Sequence, residues 1–186
     1  MPVEVFKPKP SAGWVWWVAL AALVIGSISP ILFGPPSEPV PSWVWPIAWG
    51  TVALGVFFLV IAAYFPTMRY ELAETELVLR YGPLLTYRIP YANLRGIERR
   101  NLMWSMLSSM RLPGLALWKV QYASDGILKM CSTRSARGVL VIRTNDPIPY
   151  GISPADEDRF VHELVMRAGK AGVEPAIDLS SVPPSR

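Results

Sequence analysis

A chain of 186 residues has room for one modest domain and little else. Its 17% charged residues fall short of the roughly 25% usual in soluble domains, and a net charge of +4 is too small to be the footprint of a nucleic-acid binder. One cysteine, Cys131, excludes an intramolecular disulfide and any cysteine-cluster metal site.

The charge deficit is local. From Trp14 to Phe65 the one charged side chain is Glu38, while 16 of the 18 Lys and Arg residues lie in residues 67–186, against 12 acids there. Residues 1–12, with Lys7 and Lys9, read as a short tail. Residues 13–33, GWVWWVALAALVIGSISPILF, are 21 uncharged positions, and as a helix they would extend roughly 31 Å, the thickness of a bilayer's hydrocarbon core. Residues 34–42 are rich in proline and read as a loop, because proline cannot continue a helix. Residues 43–65, WVWPIAWGTVALGVFFLVIAAYF, form a second uncharged run of 23. The two runs predict a transmembrane hairpin. Six tryptophans (14, 16, 17, 43, 45 and 49) stand at the starts of the runs, where amphipathic rings favour headgroup level. The first run is too long for a signal peptide and lacks a small-residue cleavage site. Lys7, Lys9 and Arg69 flank the hairpin, and the loop has neither Lys nor Arg, so both termini are expected in the cytoplasm and the loop outside. Small residues four apart, Ala22/Gly26 and Thr51/Gly55, suggest where the helices meet.

Beyond Pro66 the period changes to two. MRYELAE, ELVLRYG, LTYRIPY and WKVQY alternate apolar and polar residues as half-buried strands do. Ser124-Asp125-Gly126 marks a hairpin and Ser135 to Gly138 a turn. About seven strands are expected. Cys131, in the strand-like ILKMCST, reads as a small buried hydrophobe. One helix follows, with Ser153 as its expected N-cap, Pro154 in its first turn and Asp156 to Asp158 at the positive end of its dipole. Phe160, Val161, Leu164, Val165 and Ala168 give it one apolar stripe, and Gly169 ends it. Residues 170–186 read as a tail.

Seven strands closed by one amphipathic helix is the order of a pleckstrin-homology-like (PH-like) barrel. The stretches YELAETELVLRYGPLLTYRIPYANLRGIE and GVLVIRT…ISPADEDRFVHEL resemble the opening and closing segments of bacterial PH-like domains that follow one or two transmembrane helices. The resemblance covers about residues 69–168 and is poor from Asn101 to Leu117. It implies a mainly β (α+β) PH-like barrel with a C-terminal α-helix over residues 67–169. It does not import phosphoinositide binding, because Glu74 and Thr75 stand in the first hairpin loop where a dense basic cluster would be needed.

No phosphate-cradling glycine loop, HExxH or Gly-x-Ser-x-Gly motif is present, and the lone His162 falls on the polar side of the last helix. No catalytic, cofactor-binding or metal-binding residue is therefore expected, and no cofactor. The unusual piece is LMWSMLSSM. On a helix, Leu102, Met103, Met106, Leu107 and Met110 share one face, bracketed by Arg99, Arg100 and Arg111. It reads either as a lid on the barrel or as a surface for the inner leaflet or an adaptable protein partner. The expected function is a membrane-tethered, non-enzymatic binding or assembly module. The alternative is an accessory subunit of a larger transport-type membrane complex, with an enzyme ranked last. The expected partners are the lipid bilayer, its anionic headgroups, and a protein partner or second copy of the chain; nucleic acid is not among them.

Overall fold

The computed structural model describes residues 3–34, 40–103 and 111–180. The chain divides into two units, residues 12–65 and residues 1–11 with 66–186.

The smaller unit is a pair of helices, α1 (Gly13–Phe33) and α2 (Val44–Tyr64). Both are long and apolar enough to cross a membrane, and little of either is buried within the structure. They pack along Trp17, Ala21 and Ile28 of α1 and Ala48, Gly55 and Ala62 of α2, with the Trp17 and Phe58 rings 5.6 Å apart. Gly55 is the close approach: a Cβ there would come within 2.5 Å of the Ile25 side chain. The other expected small pair does not take part. Ala22 and Gly26 are exposed, and nothing lies within 4 Å of where a Gly26 side chain would stand. Spacing alone could not tell which of two adjacent helix faces turns inward.

Among its described residues the larger unit holds eleven strands in two sheets. The first has the order β1-β2-β3-β4 and is antiparallel throughout: β1 (Glu4–Phe6), β2 (Arg69–Leu72), β3 (Glu76–Tyr81) and β4 (Leu85–Pro90). The second comprises β5 (Leu94–Arg100), β6 (Arg111–Leu112), β7 (Leu115–Tyr122), β8 (Gly126–Ser132), β9 (Val139–Thr144), β10 (Tyr150–Ile152) and β11 (Ala176–Asp178). Its order is β11-β5-β9-β10-β8-β7-β6, with β10 parallel to β8 and β11 parallel to β5.

The expected barrel is therefore not closed. Between β4 and β5 the chain reaches Pro90, which has no N–H to give a ladder, and then makes a 3₁₀ turn over Tyr91–Asn93. The two strands enter different sheets. The sheets are joined by side chains instead: the Tyr70 hydroxyl donates to the Cys131 carbonyl at 2.9 Å and receives the Ser153 N–H at 3.3 Å.

Helix α3 (Glu157–Lys170) buries Phe160, Val161, Leu164 and Ala168 of the stripe read from its period, leaves Val165 half-buried, and runs one residue past Gly169. Its N-cap is Asp156, which accepts the Arg159 N–H at 3.2 Å. Ser153 does not cap the helix. It is buried in the preceding segment, where its hydroxyl accepts the Thr133 N–H at 2.9 Å. Ser-Pro-x-Asp offers two capping oxygens, and the helix starts after the second.

Both expected tails carry strands. β1 adds to the edge of β2, and Phe6 sits edge-on to Phe160 at 5.2 Å. The chain then runs across the domain: Lys9 N–H donates to Ser153, the Thr133 hydroxyl to the Lys9 carbonyl, and the Ser11 hydroxyl to the Gly114 carbonyl at 2.9 Å. Past α3, β11 pairs with β5. A strand of three residues has too little alternation to stand out in sequence.

Candidate functional site

Of the surface expected around 99–111, Met106, Leu107 and Met110 lie outside the described residues, as does the side chain of Arg111. The others do not form one exposed face. Arg99 donates to Glu157 at 2.6 Å, and Lys9 holds the other oxygen of that carboxylate at 3.0 Å. Arg100 pairs with Glu98 at 2.7 Å, and Arg143 binds the same carboxylate, also at 2.7 Å. Arg143 in the first place, and Arg100 after it, hold the Glu98 carboxyl below its ordinary range. Leu102, only 4% exposed, belongs to a core cluster with Val120, Leu128, Met130 and Val141. Met103 alone of the described members is open, at 65%. Sequence spacing puts Leu102, Met103, Met106, Leu107 and Met110 on one helical face, but Arg99 and Arg100 end β5 and residues 101–103 are in no helix, so that spacing does not hold for them.

What Asn101 and Leu102 do is brace the turn between β8 and β9. Leu102 N–H donates to the Ala136 carbonyl at 2.7 Å, and the Asn101 side chain accepts the Gly138 N–H at 2.9 Å. The Tyr122 hydroxyl donates to the Ser135 carbonyl at 2.6 Å. The buried Ser132 hydroxyl donates to the Arg134 carbonyl at 2.7 Å and accepts the Arg134 N–H at 3.0 Å. The turn is thus held from several sides. It borders an open recess of about 530 Å³ whose lining includes Pro113, Gly114, Thr133, Arg134 and Arg137.

These two arginines differ from the rest. Every other arginine whose side chain is described has a partner: Glu71 for Arg69 and Arg80, Glu76 for Arg88, Asn145 for Arg95, Glu4 for Arg159 and Arg167, and those named above. Among the described residues, neither Arg134 nor Arg137 meets a carboxylate or any other side-chain acceptor. In the sequence, Ser135 to Gly138 read only as a turn. The available signal was Thr-Arg-Ser-Ala-Arg-Gly, two cations three apart with no acid among them.

A second recess, about 550 Å³ and mainly apolar, lies between the end of α3 and the chain that follows, with Val165, Met166, Val173 and Pro175 in its wall. Cys131 is sealed in the core, and burial pushes its thiol up to about 12. His162 is exposed on α3. Among the described residues no group of three His, Cys, Asp or Glu could hold a metal ion.

Two sheets, a closing C-terminal helix and a first hairpin loop without basic residues define a β-rich domain of the kind suggested by the sequence. Residues 68–168 match the family model for the bacterial PH domain, and the chain belongs to that family. No curated protein and no solved structure matches the chain.

Proposed function

We propose that this chain is a membrane-tethered, non-enzymatic module that presents its bacterial PH domain at the cytoplasmic face of the membrane for binding or assembly. The observation that carries this reading is the shortness of both connections to the apolar helices. Ser11 is hydrogen-bonded into the domain, and only Ala12 separates it from the start of α1 at Gly13. At the other end α2 finishes at Tyr64, a single 3₁₀ turn spans Phe65–Thr67, and Met68 is already buried beside β2. With α1 and α2 spanning a bilayer, two such connectors would keep the domain at its surface. The non-enzymatic part is supported by Cys131, whose burial and raised pKa remove the chain's one thiol as a nucleophile.

The test is fractionation under alkaline carbonate, which strips peripheral proteins. The full chain should stay in the membrane pellet, and a variant lacking residues 13–65 should be released. Release of the full chain would overturn the tether. The accessory-subunit alternative draws support from the apolar recess at the end of α3, which suits a protein side chain. Under it, purification in mild detergent should recover a stoichiometric partner, and Met166→Lys should lose that partner.

A further inference from the structure

We infer that the turn between β8 and β9 is a binding site for a phosphate-type oxyanion, held by the guanidinium groups of Arg134 and Arg137. The inference begins with charge. Two arginines three residues apart repel each other, and every other arginine with a described side chain has a side-chain partner, an acid for all but Arg95, while these two have none among the described residues.

The backbone points the same way. The carbonyls of Arg134, Ser135 and Ala136 are taken by Ser132, Tyr122 and Leu102, donors of the domain itself. The N–H groups of Ser135, Ala136 and Arg137 donate to nothing among the described residues. The turn therefore offers donors with its acceptors already used, which favours an anion over a cation or an apolar ligand.

Arg134 is also held in place. Both of its backbone groups are fixed to the Ser132 hydroxyl, and its guanidinium lies across Gly138, where a Cβ would come within 2.6 Å of Nη1. Gly138 has φ +61°, a conformation natural to glycine, so the turn and the space for the guanidinium require the same residue. Planar guanidinium forks match the oxygens of phosphate two at a time. The recess is open, so a phosphate can enter while a larger group attached to it stays outside.

Two sources supply such an oxyanion, the headgroup of an anionic lipid or a soluble phosphate compound. Gly114, in the recess wall, accepts a hydrogen bond from Ser11, two residues before α1 begins in the chain. The lipid source rests on the membrane reading above; the oxyanion site does not.

The experiment uses the full-length protein in a neutral maltoside detergent. One arm titrates inorganic phosphate and pyrophosphate at fixed ionic strength by calorimetry. The other adds phosphatidylglycerol or phosphatidylcholine to the micelles and counts retained lipid by native mass spectrometry. Both arms are repeated with the Arg134→Gln/Arg137→Gln double variant and with Arg69→Gln, an arginine paired on β2. Saturable binding in at least one arm is expected, weakened about tenfold or more in the double variant and unchanged in Arg69→Gln. Retention of phosphatidylglycerol over phosphatidylcholine assigns the lipid source; phosphate binding without lipid preference assigns the soluble one. Absence of saturable binding in both arms, or binding that survives the double variant, overturns the site. If carbonate releases the chain yet arginine-dependent phosphate binding persists, the tether fails and the site stands.

Discussion

Ser153 shows how a residue can matter for a reason other than its motif. Its hydroxyl satisfies the buried Thr133 N–H and stands 3.0 Å from the Thr133 hydroxyl. Ser153→Ala should cost about 1–3 kcal/mol, the loss that follows when a buried donor is left unpaired. Asp156→Ala, at the true cap, should cost about 1 kcal/mol. Chemical unfolding of the purified protein separates the two, and equal, near-zero effects would remove Ser153 from the core. Leu164, fully buried on α3, should cost about 2–5 kcal/mol when cut to Ala. Glu98 adds a pH dependence. Arg143 and Arg100 lower its folded pKa below the unfolded one, so its stabilisation is fully present above the ordinary carboxylate range. It is lost as pH falls through the lower, folded value. The stability gap between wild type and Glu98→Gln should therefore be largest near neutrality and close in acid, measured by unfolding across pH. A gap that widens in acid would refute the pairing.

At the scale of elements, the N-terminal segment is the piece whose removal should be felt most. It contributes a strand with three backbone partners on β2, and Phe6 packs against Phe160, which also touches Tyr70 at 6.2 Å. Glu4 and Lys9 add ion pairs to Arg159 and Glu157 of α3. Phe6→Ala should cost about 3–5 kcal/mol of domain stability, as large-to-small changes of buried aromatics do. Val5, exposed on the same strand, should tolerate Ala within about 0.5 kcal/mol. The domain cut at Pro66 should accordingly unfold more readily than one that keeps residues 3–11. In the helix pair, Gly55→Leu should weaken α1–α2 association in a detergent-resistance assay, because Ile25 and the Ala21 carbonyl occupy that space. Gly26→Leu should leave it unchanged. The opposite result would mean that the helices meet on another face.

At the scale of the whole molecule, the proposed orientation has a direct measurement. Cys131 is buried and its thiol pushed up to about 12, so the native chain gives a clean background for cysteine labelling. Under the proposed orientation, Ser42→Cys, exposed just before α2, should react with an impermeant maleimide added to intact cells. Glu74→Cys, exposed in the first hairpin loop of the domain, should react only after lysis. The reverse pattern would invert the topology and leave the two helices as they are.

Features that depend on local pattern were legible along the chain. Two charge-free runs of helical length, a change of period at Pro66, the apolar stripe of α3, the Asp125-Gly126 hairpin and the burial of Cys131 are all carried by neighbours in the chain. The family resemblance was legible for the same reason, since it rests on contiguous strands and a helix start. Other features required distant residues to meet. Leu102 is core because Ala116, Val120 and Val139 surround it, not because of its spacing from Met106. Arg99 is committed to Glu157, 58 positions away, and β1 exists only because β2 offers it an edge. The arginine turn is the clearest case. Any arginine in a sequence is a potential anion site, and what distinguishes Arg134 and Arg137 is that the fold brings a side-chain partner to every other described arginine and none to these. Charge pairing is a property of three-dimensional neighbours, so it emerges with the fold.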